Sequence, residues 1–274
     1  MAIAVEVGGH PKGMLTTMRK DRWWAGPVAV LLGLSAFVVY ATWAAFQGAY
    51  YFADPYLSPF YSPVLFSDVS QPGSMPLGSH VWIGSWPSWW PAFLPASPAF
   101  LVLIFPGAFR FTCYYYRKAY YRAFTASPPA CAVGARAPGK YRGETGLLLF
   151  QNLHRYALYI AVLYIFILYY DAFAALFKDG RFGIGVGTVV LFVNATLLGA
   201  YTFGCHSWRH LIGGRLDCFS CDAFSEKRHG AWKKVTWLNQ RHQLFAWLSL
   251  FWVGFADFYV RMVSMGYIHD FNTW

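Results

Sequence analysis

The sequence predicts an all-α integral membrane protein: a bundle of five transmembrane helices with the amino terminus cytoplasmic and the carboxyl terminus periplasmic. Three observations predict it. Hydrophobic residues fill 57% of the 274 positions and charged residues only 12%, about half the charged share of a soluble domain. Apolar runs recur that are long enough to cross a bilayer, which takes roughly 20 residues. The basic residues are confined almost entirely to alternate connections between those runs. A soluble protein with buried helices of this kind would need a far more polar remainder.

Taken in order, the first run covers about 27–52. It is too long for a signal-peptide core and lacks a small-residue cleavage site, so it reads as an uncleaved helix. Residues 53–91 are rich in Pro, Ser and aromatics, including Trp82, Trp86, Trp89 and Trp90, and read as a periplasmic cap lying on the membrane. The second run is at about 92–121. A cytoplasmic loop follows at 122–146, punctuated by Pro128, Pro129 and Pro138. The third run is at about 147–173 and the fourth at about 183–212. Gly213-Gly214 then stops the helix and opens a polar cytoplasmic loop at 213–234. The fifth run is at about 235–267. The whole reads as one membrane domain, with no internal repeat and no low-complexity tract. Gly183, Gly185 and Gly187 open the fourth helix with no strand before them, so they read as close helix packing and not as a nucleotide fingerprint. Asn194-Ala195-Thr196 matches a glycosylation acceptor but lies inside that helix. Asp257, four residues before Arg261, reads as a local ion pair.

Orientation follows from the basic residues. All but three of the 22 Lys and Arg fall in the amino-terminal arm (Lys12, Arg19, Lys20, Arg22) or in two stretches that join runs two and three (Arg110 to Arg155) and runs four and five (Arg209 to Arg241), the adjoining helix ends included. The exceptions are Lys178, Arg181 and Arg261. By the positive-inside rule those basic stretches are cytoplasmic. The net charge of +10 is therefore a topology signal and not the footprint of nucleic acid. It leaves a basic inner surface suited to an acidic partner or anionic lipid.

That topology aligns four side chains. Cys113 near the end of the second helix, His154 near the start of the third, Cys205 near the end of the fourth and His242 near the start of the fifth share one level. At the α-helical rise they lie roughly 10 Å below the cytoplasmic surface. A buried Cys alone is ordinarily a small hydrophobe, but intramembrane histidines mark function or bundle hydrogen bonds. Two thiols with two imidazoles suit a Rieske-type [2Fe–2S] cluster, and the two imidazoles alone suit one haem b. Zinc would accept the same donors, but a closed structural zinc has little purpose in a bundle that already folds in lipid. A competing ligand set is local: His206 and His210 at i and i+4, then Cys218 and Cys221 with CxxC spacing. His10, His80, His229 and His269 are assigned no role, and Cys131 in its proline-flanked loop reads as structural. The inner helix ends are aromatic and basic, RKDRWW with Trp23 and RFTCYYYRKAYYR with Tyr116, Arg117 and Tyr120. Such residues can stack on a quinone ring and hydrogen-bond its carbonyls, although an interfacial belt has the same composition.

FTCYYYRKAYYRAF, SPPACAV, QNLHRY, YTFGCHSWRHLIGGRL and ADFYV together resemble the membrane-anchor subunit of succinate dehydrogenase, respiratory complex II, in its single-chain actinobacterial form. The resemblance covers runs two to five. It implies a multi-pass protein of the bacterial inner membrane on which a flavoprotein subunit and an iron–sulfur subunit dock from the cytoplasm. Succinate is then oxidised on the flavoprotein, and this chain hands electrons to quinone. A higher oligomer is compatible with it. Five-helix anchors of this kind often stack two haems across the membrane. Here every intramembrane His lies near the inner face, which leaves room for one haem at most and favours Cys113, His154, Cys205 and His242 around an iron–sulfur centre. His206, Arg209 and His210, one turn nearer the cytoplasm, would then line the quinone site or ligate the cluster instead. The alternatives are a haem b anchor of the same complex and a cofactor-free membrane protein such as a transporter.

Overall fold

The computed structural model describes residues 13–136, 147–214 and 216–274. His10, Lys12, Pro138, Lys140, Arg142 and Arg215 lie outside the described residues. The chain is mostly helical. Four helices are long and apolar enough to span a membrane, and a bent helical pair makes up to five.

Helix α1 is Ala25–Gln47. It carries Pro27 in its first turn, where the missing N–H costs nothing. It ends at Gly48, whose φ of +60° is the left-handed conformation that closes many helices. The apolar sequence continues to Phe52, but the helix predicted to that point does not. Gly48 and Tyr50 both turn to positive φ, and the chain enters a short hairpin of β1, Phe52–Ala53, with β2, Tyr56–Leu57.

The predicted second run is a series of pieces: α2 Pro98–Val102, α3 Ile104–Thr112, α4 Tyr114–Ala119 and a π-helical turn Tyr120–Phe124. Pro106 has no N–H for the carbonyl four residues back, and that carbonyl, of Val102, accepts from Tyr164 Oη at 3.3 Å. The second break, between Thr112 and Tyr114, bends the axis by 69°. The third run is one helix, α5, Leu147–Ala174, as predicted. The fourth divides into α6 Val186–Phe203 and α7 His206–Gly213. The fifth divides into α8 Ala223–Gln240 and the membrane-length α9 His242–Ser264. The first half of α8 lies in the stretch read as a polar loop. It escaped a search for apolar runs because its residues are polar, and it is started by Asp222, whose carboxylate accepts from Phe224 and Ser225 backbone N–H.

The chain forms two compact units. The first comprises residues 1–38 and 110–153. In it the amino-terminal arm is laced to the loop after the π-helical turn. Leu15 N donates to Gly134 O at 2.9 Å, Gly134 N to Thr16 O at 2.8 Å, and Arg19 Nη1 to Cys131 O at 2.9 Å. Two of the basic stretches predicted to share a membrane side are thus joined.

The second unit, residues 39–109 and 154–274, packs α6 against α9 and seats the cap. The first third of the predicted surface cap is in fact core, together with Tyr51 just before it. Tyr51, Tyr56, Ser58, Phe60, Tyr61 and Ser62 are almost wholly buried, while Trp82, Ile83 and Trp89 are exposed. The buried aromatics go in because their polar ends find partners. Tyr61 Oη donates to Ala44 O at 2.6 Å, and its ring stacks on Tyr51 at 4.4 Å. Gly187 follows the same logic. A Cβ there would stand 2.6 Å from the Tyr56 ring, and one on Gly183 would meet Trp274, so the glycine run admits the cap and the carboxyl-terminal segment and not, as expected, another helix. Asp270 closes this corner, accepting from Tyr56 Oη at 2.6 Å and from Gly187 N at 2.9 Å. Burial, and then the Asp270 carboxylate, hold the Tyr56 phenol well above its ordinary pKa.

The anticipated pairing of Asp257 with Arg261 is present at 3.4 Å, with both side chains fully buried. Tyr40 Oη and Ser58 Oγ donate to the carboxylate at 2.6 and 2.5 Å, Arg261 Nη1 donates to Ala49 O at 2.8 Å, and the guanidinium lies over Trp43 at 5.2 Å. One pair thereby ties α1, the cap and α9. Removing one partner strands the other charge in a dry interior, at a cost of about 3–5 kcal/mol. Asp257→Ala and Arg261→Ala are each expected to lower the thermal midpoint of the purified protein sharply. A double Asp257→Asn/Arg261→Met variant is expected to lose less than either.

Candidate functional site

Three of the four side chains predicted to share a level fall at irregularities in the helices. Cys113 is the extended residue that caps α4, with φ −63° and ψ 128°. Cys205 is the extended residue that caps α7, with φ −64° and ψ 144°. His242 is the first residue of α9, after the break at Arg241. Only His154 lies within an unbroken helix, about two turns into α5.

A break inside a membrane helix frees backbone groups that lipid cannot satisfy. At the α6–α7 break the freed carbonyl of Gly204 accepts from Asn239 Nδ2 of α8 at 2.9 Å. Gly204 suits the break, because a Cβ there would stand 2.7 Å from Ala200 O and 3.1 Å from Leu238 O. The glycine lets α8 approach, and α8 in turn supplies the amide that stabilises the break.

In the second unit the structure brings His154 and Cys205 together. His154 Nε2 is 2.9 Å from Cys205 Sγ, and both residues are buried. Phe109 stacks on the His154 imidazole at 4.6 Å with planes 8° apart, and Tyr201 stacks on His242 at 4.8 Å and 13°. Phe109 and Tyr201 meet edge to face at 5.5 Å. The two imidazoles are therefore the ends of a four-ring array, His154–Phe109–Tyr201–His242. Aromatic pairs of this geometry are worth about 0.5–1.5 kcal/mol each beyond the area they bury. Cys113, in the first unit, is likewise buried and forms no disulfide. Among the described residues no group of three or more His, Cys, Asp or Glu side chains forms a ready-made metal cage.

Sequence reasoning missed Phe109 and Tyr201, and a signal for them exists. Phe109-x-Phe111-x-Cys113-x-x-Tyr116-Arg117 corresponds to Tyr201-x-Phe203-x-Cys205-x-x-Trp208-Arg209. This is a local repeat where none was expected. It was hidden because only aromatic character, Cys and Arg are shared, spread over nine positions of an aromatic-rich chain.

The competing set is changed by the structure. Cys218 and Cys221 are joined in a disulfide, so while it is closed neither sulfur can serve as a thiolate ligand beside His206 and His210. Both histidines are exposed. Cys131, read as structural, is an exposed free thiol.

The proposed quinone-site residues divide between the units. In the first, Trp23 is half-buried, Tyr116 is fully buried and accepts from Arg110 Nη1 at 2.5 Å, and Tyr120 stacks on Phe111 and Tyr116. Arg117 lies over the Tyr114 and Phe150 rings. In the second, Arg209 is committed to α8: its guanidinium lies 4.2 Å from the Trp232 ring centre and its Nε donates to Thr236 Oγ1 at 3.0 Å. Arg209 thus clamps α7, which begins at the Cys205 break, onto α8.

Residues 25–266 match the family described as actinobacterial succinate dehydrogenase subunit SdhC. The match spans most of the chain, and the protein belongs to that family. It is the membrane subunit of a succinate dehydrogenase, multi-pass in the bacterial inner membrane. Among solved structures it is similar to a chain of the Mycobacterium smegmatis Sdh1 complex in the apo form, at 43% identity over 94% of each chain with a TM-score of 0.81. No curated protein sequence matches it.

The clamp has a measurable consequence. Arg209→Ala removes a cation–π contact and a charged hydrogen bond, together worth about 1–3 kcal/mol. Amide exchange in α7 and in the second half of α8, around Trp232 and Thr236, is expected to accelerate, while α5 and α6 keep their protection.

Proposed function

We propose that this subunit carries electrons from the docked iron–sulfur subunit, through an intramembrane Rieske-like [2Fe–2S] centre, to quinone near the cytoplasmic face. The flavoprotein and iron–sulfur subunits occupy the basic inner surface, and succinate is oxidised on the flavoprotein. The observation that carries the reading is the contact of Cys205 with His154, a thiol and an imidazole buried together, with a second imidazole, His242, linked to them through the Phe109 and Tyr201 rings.

The donor chemistry fits the group. Cys113 and Cys205 would hold one iron and His154 and His242 the other, Cys113 being included on the sequence reading alone. When bound, the centre supplies a one-electron carrier. The residues of this chain hold the donors, exclude water and keep the imidazole planes fixed. Trp23, Tyr116, Arg117 and Tyr120, with His206, Arg209 and His210, are the candidates to stack on and hydrogen-bond the quinone headgroup. Among the seven, His206 and His210 are exposed. Arg209 acts chiefly by holding α7 in place.

A second reading keeps the complex and places one haem b between His154 and His242. The ordering of both imidazoles by aromatic rings favours it. The thiol against His154 has no part in it.

The His154→Ala/His242→Ala double variant, purified as the whole complex, tests both. The expected result is loss of the iron–sulfur EPR signal of this subunit and of quinone reduction, with succinate oxidation by a soluble dye retained. Survival of both the signal and quinone reduction would remove these residues as ligands. A sharp reduced-haem band in the wild-type optical spectrum would replace the cluster with haem b.

A further inference from the structure

The donor pairs explain two cysteines and two histidines but leave the rings between the histidines without a role. A histidine's second side-chain torsion is broad and soft, so burial alone does not fix the plane of the imidazole. The nitrogen lone pair lies in that plane and must point at the metal. Soluble sites fix it through hydrogen bonds from outer groups. Here each imidazole lies flat on an aromatic ring, His154 on Phe109 and His242 on Tyr201. Because Phe109 and Tyr201 meet edge to face, rotation of one imidazole is resisted by the packing of the other.

The local repeat supports this independently. Phe109 stands four residues before Cys113, and Tyr201 four before Cys205. Each aromatic is thus set in register with one cysteine while it stacks on one histidine. The same four-residue spacing therefore links each stacking ring to one of the two proposed thiol donors.

We infer that Phe109 and Tyr201 are positioning residues that fix the planes of the His154 and His242 imidazoles and thereby tune the proposed centre. This rests on the cluster reading above. The test is nitrogen-resolved EPR and redox titration of the purified complex, with iron per chain measured on each sample. The variants are Phe109→Leu, Tyr201→Leu, Phe109→Tyr and Tyr201→Phe. Both leucine variants are expected to show altered nitrogen couplings and a shifted potential, while the variants that keep a ring retain the wild-type couplings. If a leucine variant assembles but loses iron, the matching ring-retaining variant is expected to restore it, and failure to restore it overturns the inference. Wild-type couplings and potential in both leucine variants at full iron content also overturn it, leaving the cluster intact. A wild-type complex with no nitrogen-coupled iron–sulfur signal overturns the cluster reading and this inference with it.

Discussion

Lipid offers no hydrogen bonds, so any departure from regular helix must be satisfied from within the protein. Much of this structure is a response to that constraint. Helices break beside the buried cysteines, and at two of the breaks a side chain from a neighbouring helix takes up a carbonyl that the break releases. Asn239 serves Gly204, and Tyr164 serves Val102 behind Pro106. The breaks in turn expose sites that a smooth helix would not have. A residue in extended geometry ahead of a helix, such as Cys205, presents its side chain off the regular helical register, here against His154.

The same constraint governs charge. Asp257 and Arg261 are tolerated in the span because they neutralise each other and because Tyr40, Ser58, Ala49 and Trp43 complete their coordination. The cap is part of that arrangement. Ser58 belongs to it, which is why residues that read as a surface cover are buried as deeply as any helix.

Aromatic residues serve two purposes that composition cannot separate. Trp82 and Trp89 are exposed on the cap, as an interfacial belt would be. Phe109 and Tyr201, drawn from the same abundant pool, order two histidines. Which role a ring takes depends on its neighbour, and two such neighbours are histidines one helix away.

The sequence by itself determined the membrane character, the approximate positions of the long apolar helices, the grouping of basic residues and the family, because hydrophobic length and charge are properties summed along the chain. It also determined the Asp257–Arg261 pairing, which is local at i and i+4. It picked out His154, Cys205 and His242, since distance along a helix measures depth. Depth says nothing about the direction in which a side chain points. Only the tertiary structure decided that Cys205 meets His154, that rings join the two histidines, that Cys218 closes on Cys221 and that the cap enters the core. Those are contacts between segments tens to hundreds of residues apart, or the outcome of a broken helix, and both depend on where a backbone turns and what waits beside it.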